Sequence, residues 1–140
     1  GAVCVVPLLD DGSVLLERQF RYPVGKVLME IPAGKLDSKD EDPRKAAARE
    51  LLEETGAVAE ELIELGMFLP ACAYSDEAIH MYAAKKLTFR EQKLDADEFL
   101  NVFTMPLEQA VQKVLAGEIW DAKTQTALLK VWLLRQQGRL

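Results

Sequence analysis

Asp42-Pro43-Arg44-Lys45-Ala46-Ala47-Ala48-Arg49-Glu50-Leu51-Leu52-Glu53-Glu54-Thr55-Gly56 is the stretch from which the rest of the chain can be read. Both of its ends are marked. Asp42 is a good N-cap, because its side-chain oxygen can accept from the unpaired amides of a first helical turn. Pro43 then falls at the first helical position, where its missing N–H costs nothing. Alanines and charged residues carry the helix through Thr55, and Gly56 is placed to close it in the left-handed conformation. On such a helix Glu50, Glu53 and Glu54 stand at i, i+3 and i+4 and share one face. Each like-charge pair costs roughly a few tenths of a kcal/mol. Arg49 offers one positive charge against three negative ones, so the pattern calls for a further cation. Hard divalent ions prefer carboxylate oxygens, and Mg²⁺ keeps several waters while taking its other ligands from carboxylates and phosphates. A solvated acidic helix face is the competing reading of an isolated triplet. The context decides against it: Pro32-Ala33-Gly34 lies upstream, with a glycine that lets backbone approach a metal or ligand, and Gly56 follows at once.

Outward from this helix, the chain mixes strands and helices. Val3–Leu9 is an almost continuous apolar run, Asp10-Asp11-Gly12 supplies turn residues, and Val14–Phe20 returns, which reads as a β-hairpin. Gly25 interrupts, and Val27–Ile31 is a further short apolar run ending at Pro32. The polar segment Ala33–Glu41 reads as a loop. Beyond the acidic helix, strands are expected at Leu62–Phe68, Ala78–Leu87 and Phe99–Met105. Helices are expected at Pro106–Ala116, ended by Gly117, and at Lys123–Gln137. Without regular βαβ alternation, the order favours an α+β layered fold.

Composition sets the outer limits. The 140 residues are 49% hydrophobic, enough for one globular domain over residues 1–140 with a sizeable core. No linker, repeat or low-complexity tract divides the chain. A net charge of −6 argues against partners that present phosphate backbones or anionic membranes. It does not oppose a nucleotide substrate, because a divalent ion can bridge acidic protein to anionic phosphate. Cys4 and Cys72 lie beside apolar residues at no metal-ligand spacing and read as small buried or half-buried thiols, whose scarcity suits a reducing cytoplasm. No run is long enough to span a membrane. The first residue is Gly1, so a native N-terminus is expected to precede it.

Arg49-Glu50-Leu51-Leu52-Glu53-Glu54-Thr55-Gly56-Ala57, with Glu41 and Gly34 upstream, resembles the Nudix box, whose end reads R-E-U-x-E-E-x-G-U with U apolar. One residue more than usual separates Gly34 from Glu41, which a loop insertion before the helix accounts for. The resemblance implies a Nudix α/β/α sandwich with a mixed sheet. It implies Glu50 and Glu54 as principal metal ligands, Glu53 as a ligand or water-positioning group, and the Ala33 carbonyl as a further ligand. Arg49 would hold the glutamates by charge-assisted hydrogen bonds. The cofactor implied is Mg²⁺, with Mn²⁺ able to substitute, and the chemistry is attack of an activated water on a metal-polarised diphosphate.

The flanks bear on substrate, which the box does not name. Three segments resemble the ADP-ribose pyrophosphatase branch. They are Glu17–Gly25 leading through Glu30–Asp37, Tyr74-Ser75-Asp76-Glu77, and Gly117–Thr124. Arg18 and Arg21 suit phosphate oxygens, which guanidinium binds bidentately; charge on an edge strand is the competing reading. Glu77 could hydrogen-bond a ribose hydroxyl, or be a plain loop carboxylate. His80 alternates with apolar neighbours and reads as packing or sheet surface. In related hydrolases an acidic residue of the loop corresponding to Asp95-Ala96-Asp97-Glu98 acts as base or extra metal ligand. Glu98 falls best in register for that role and Asp97 second, against a solvated acidic turn. The branch usually has a proline where Cys72 stands; here Pro70 comes two residues earlier, which leaves GDP-mannose and other nucleoside diphosphate sugars open. A nucleotide-sensing domain without catalysis is the alternative class. The family's N-terminal β-rich segment, which helps form a homodimer and the nucleobase site, is expected to lie ahead of this chain.

Overall fold

A computed structural model describes residues 1–90 and 101–140. Among them, seven strands and three helices follow in the order β1 (Ala2–Pro7), β2 (Ser13–Arg21), β3 (Lys26–Glu30), β4 (Ala33–Lys35), α1 (Pro43–Thr55), β5 (Ala57–Phe68), β6 (Ile79–Phe89), β7 (Asn101–Pro106), α2 (Leu107–Leu115) and α3 (Ala122–Gln136). The strands form two sheets, β4-β1-β6-β5 and β3-β2-β7. The first is mixed, with β1 parallel to β6 and antiparallel to β4. No helix among the described residues is long and apolar enough to cross a membrane.

The central position of β1 follows from its composition. A strand covered on both faces must be apolar at every position, not at alternate ones. Val3 and Val5 belong to a cluster with Ala46, Ala47 and Leu51 of α1. Cys4 and Val6, on the opposite face, join Ala127, Leu128 and Val131 of α3 and the apolar side of α2. The mixed sheet is therefore sandwiched between helices, as the α+β reading expected. Leu51 is fully buried, and it fixes α1 on the sheet with Glu50 on the adjoining face. Truncating it to alanine would cost about 2–5 kcal/mol.

The expected N-terminal hairpin does not form. Leu8 and Val14 make a single bridge, after which β1 and β2 diverge into different sheets. The edges of β1 are taken by β4 and β6, so β2 has none to pair with and joins β3 and β7 instead. Two other boundaries move. Ala33–Lys35 is a short strand and not a loop, and β5 starts directly after the helix at Ala57, not at Leu62. The helix ends are as the sequence marks them. The Asp42 side chain accepts from Arg44 N–H at 2.9 Å, and Gly56, at φ 76°, donates its N–H to the Leu52 carbonyl. Cys4 is buried, and burial pushes its thiol up to about 12. Cys72 is exposed, contrary to expectation; it lies in the turn after β5, beyond the sheet that buries Cys4.

Candidate active site

Helix α1 and strand β4 meet at the acidic face. Gly34 has no side chain, and that space is filled by Glu50: a Cβ on Gly34 would lie 2.1 Å from the Glu50 carboxyl carbon. One turn along, Glu54 Oε2 accepts the Ala33 N–H at 3.1 Å. The carboxylates of the helix are thus held against the backbone of the glycine segment. No basic residue occupies the last turn of α1, although the negative end of the helix dipole there disfavours Glu53 and Glu54. The local sequence gives up helix stability to keep these side chains.

Arg49 organises the group. Its Nη1 donates to Glu50 Oε1 at 2.8 Å, its Nη2 to Glu41 Oε1 at 3.1 Å and to the Lys35 carbonyl at 3.2 Å. Glu53 lies 3.6 Å away and Asp37 3.2 Å. Glu41 also accepts the Asp37 N–H at 2.6 Å, so it braces the loop and keeps its register with the helix despite the extra residue. Hydrogen bonds from Arg49 hold its carboxyl below the usual carboxylate range.

Strands β2 and β3 contribute a second charged cluster, of which the sequence singles out only Arg21 for a role. Glu30 is 1% exposed. It receives Nε and Nη2 of Arg21, both at 2.7 Å, and Nζ of Lys123, also at 2.7 Å. Lys123 continues to Asp121 at 3.0 Å. Burial alone would raise the Glu30 carboxyl, but the two cations outweigh it and hold it low. Asp121 caps α3 through Thr124 N–H, and Thr124 Oγ1 accepts the Ile31 N–H at 3.0 Å. Glu17 stands opposite Glu30 in the β2–β3 register and is also 1% exposed. Glu17 and Glu54 share a side-chain hydrogen bond, and burial together with the neighbouring Glu17 charge raises Glu54 far above the usual range. Burial also raises Glu17. Its Oε2 is buried and, among the described residues, has no hydrogen-bond partner. The signal for these residues was present but weak. It consists of a glutamate inside each of two apolar strand runs, and of Leu15, Glu17, Gln19 and Arg21 turning one strand face from apolar to polar.

A cleft of about 740 Å³ joins the two clusters. Ala33, Gly34, Arg49, Glu50, Glu53, Glu54, Arg21 and Glu77 all line it, as do Gln19 and Lys123. Arg18 does not. Strand alternation turns it to the opposite face of β2 from Arg21, where its guanidinium stacks 3.8 Å from the centroid of Phe103. His80 is half-buried on β6, outside this lining. Glu98 and Asp97 lie outside the described residues.

The NUDIX domain family model matches residues 1–128. An ADP-ribose pyrophosphatase of Bacillus subtilis is 42% identical over 130 residues, covering 91% of this chain and 70% of its own. A methanol dehydrogenase activator of Bacillus methanolicus is 41% identical over the same shares. A solved structure described as an ADP compounds hydrolase superposes with a TM-score of 0.86 at 28% identity, covering 99% of this chain and 75% of that one. The chain belongs to the Nudix family.

Proposed function

We propose that this protein is a Mg²⁺-dependent hydrolase that cleaves the diphosphate of ADP-ribose to AMP and ribose 5-phosphate, with Mn²⁺ able to replace Mg²⁺. The observation that carries the reading is the seating of Glu50 in the space left by Gly34, in the same cleft as Arg21 and Glu77. The name of the B. subtilis relative supports the substrate.

The residues fit a hard divalent ion. The donors are all oxygens, and the face carries more negative charge than Arg49 can offset. Among the described residues no three acidic side chains converge as a ready-made cation cage. Glu50, Glu54 and the Ala33 carbonyl would hold it, with Glu53 as ligand or water-positioning group and Glu98 as base or extra ligand. The bound ion would supply charge neutralisation at the diphosphate and a more acidic water. Arg49 keeps Glu50 oriented through its 2.8 Å bond. Glu30 takes the Nε and Nη2 edge of Arg21, leaving the Nη1 donors for a phosphate or ribose oxygen. Glu77 would accept from a ribose hydroxyl. Arg18 has no part in this cleft. Phe20 and Val27 are paired across β2–β3 and exposed, an apolar face that suits a homodimer.

The test is turnover of ADP-ribose beside GDP-mannose, NADH and Ap₄A, with Mg²⁺ and with EDTA. ADP-ribose is expected to be preferred, and EDTA to abolish turnover. Preference for GDP-mannose would overturn the substrate and spare the reaction class. Tight binding without hydrolysis in Mg²⁺ would make the domain a sensor, a reading that the intact Glu50, Glu53 and Glu54 oppose. Glu54→Gln is expected to lower the rate roughly 10²–10³-fold, the scale of losing one electrostatic stabiliser.

A further inference from the structure

Glu17 has a burial problem that its protein neighbours solve for only one of its two oxygens. A carboxylate removed from water costs several kcal/mol unless it is paired and hydrogen-bonded. Its cross-strand neighbour is Glu30, another carboxylate, and like charges directly opposite on a sheet repel. The two cations nearby, Arg21 and Lys123, place their hydrogen bonds on Glu30. On its other side Glu17 shares a side-chain hydrogen bond with Glu54, one of the α1 carboxylates. Its Oε2 remains buried with no partner among the described residues. Leu15, the preceding residue on the same face of β2, is buried and apolar, and an apolar side chain at position 17 would pack there without this cost. An acceptor oxygen kept at such cost, against an acidic helix face, suits a cation arriving from outside the chain.

We propose that Glu17 Oε2 becomes an additional oxygen ligand when the divalent cation binds and draws the carboxylates together, so that the ion is held between strand β2 and helix α1 and not by the helix and the glycine segment alone. The inference rests on the metal-site reading above. It extends that site to a residue outside the box, one that no spacing within the helix could reveal. With Glu17 included, the donors come from two layers of the fold, which fixes the ion relative to the Arg21 side of the cleft. Glu17 and Arg21 share one face of β2, so the position of the ion and the position of the phosphate contact are set by one strand.

The experiment is Mn²⁺ binding to the substrate-free protein, followed by electron paramagnetic resonance of the free ion and by calorimetry. Wild type, Glu17→Gln and Glu54→Gln are compared. Glutamine preserves the volume and removes the charge. Even residues that only hold a metal's ligands are commonly worth about 10–100-fold in affinity, so Glu17→Gln is expected to weaken Mn²⁺ at least about tenfold. Without metal its melting temperature should equal or exceed that of wild type, because a buried acid facing two other carboxylates has been removed. Should Glu17→Gln not fold, Glu17→Asp is measured in its place, with the same expected weakening because the shortened side chain withdraws the oxygen. Mn²⁺ affinity within about twofold of wild type in the folded variant, alongside a clear loss in Glu54→Gln, would overturn the role of Glu17 and leave the metal site standing. No Mn²⁺ binding by wild type would overturn both.

Discussion

Gly34 and Glu50 occupy one space: the hydrogen that glycine carries in place of a side chain is what lets the Glu50 carboxylate lie against β4. Gly34→Ala would put a methyl group 2.1 Å from the Glu50 carboxyl carbon. The obstructing atoms are the end of a flexible side chain, so the backbone can stay while the carboxylate swings away. A folded protein is expected, within about 1–2 kcal/mol of wild type, with hydrolysis reduced roughly 10²-fold. Circular dichroism and steady-state rates on the same preparation check both halves. Wild-type turnover would show that the position of Glu50 is immaterial.

Glu17 and Glu54 make metal-free stability depend on pH. An ordinary glutamate titrates near 4.5, and both of these are raised above that value by burial first and then, for Glu54, by the neighbouring Glu17 charge. Between 4.5 and the raised values the folded state therefore binds more protons than the unfolded state. Stability falls with pH in that window. The contribution is fully present below about 4.5 and is lost as pH rises through neutrality and beyond. In EDTA, the denaturant midpoint should decrease between about pH 5 and about pH 9. Added Mg²⁺ should stabilise more at the alkaline end, where protons no longer compete for the oxygens. A Mg²⁺ stabilisation independent of pH would count against these carboxylates as its seat.

Thr124 ties the start of α3 to the end of β3. Its hydroxyl accepts the Ile31 N–H at 3.0 Å and donates to Asp121 at 2.5 Å. Thr124→Val keeps the shape and strands a buried backbone donor, at a cost of about 1–3 kcal/mol. For a chain of this length, the melting temperature should drop by roughly 3–12 °C. A calorimetric scan in EDTA, to remove any contribution from bound metal, gives the comparison.

Arg21 presents a planar fork, one edge of it fixed on Glu30. Arg21→Lys retains the charge and loses the fork, and Glu30 still has Lys123. The KM for ADP-ribose is expected to rise about tenfold, equivalent to losing one charge-assisted hydrogen bond of about 1.4 kcal/mol, with a smaller change in kcat. A fall in kcat at constant KM would instead assign Arg21 to the reacting step.

The acidic helix was legible residue by residue. Caps at Asp42 and Gly56, and the common face of Glu50, Glu53 and Glu54, follow from rules that act within a few residues along the chain, and the structure has both caps where they were expected. The apolar run of β1 was equally plain as a strand, although its burial on both faces came only from the structure. Its partner did not follow, because a turn at Asp10–Gly12 specifies a reversal but not which sheet the returning strand joins. That choice depended on β4 and β6 taking both edges of β1. The pairing of Glu30 with Lys123 spans 93 residues, far beyond any helical or strand period, and only the packing of α3 on the sheet brings the two together. The same holds for Glu17 against Glu54, a strand residue and a helix residue that share no sequence pattern. Local periodicity thus determined which side chains share a face, while tertiary packing decided which faces meet, since burial selects long-range partners that no local rule encodes.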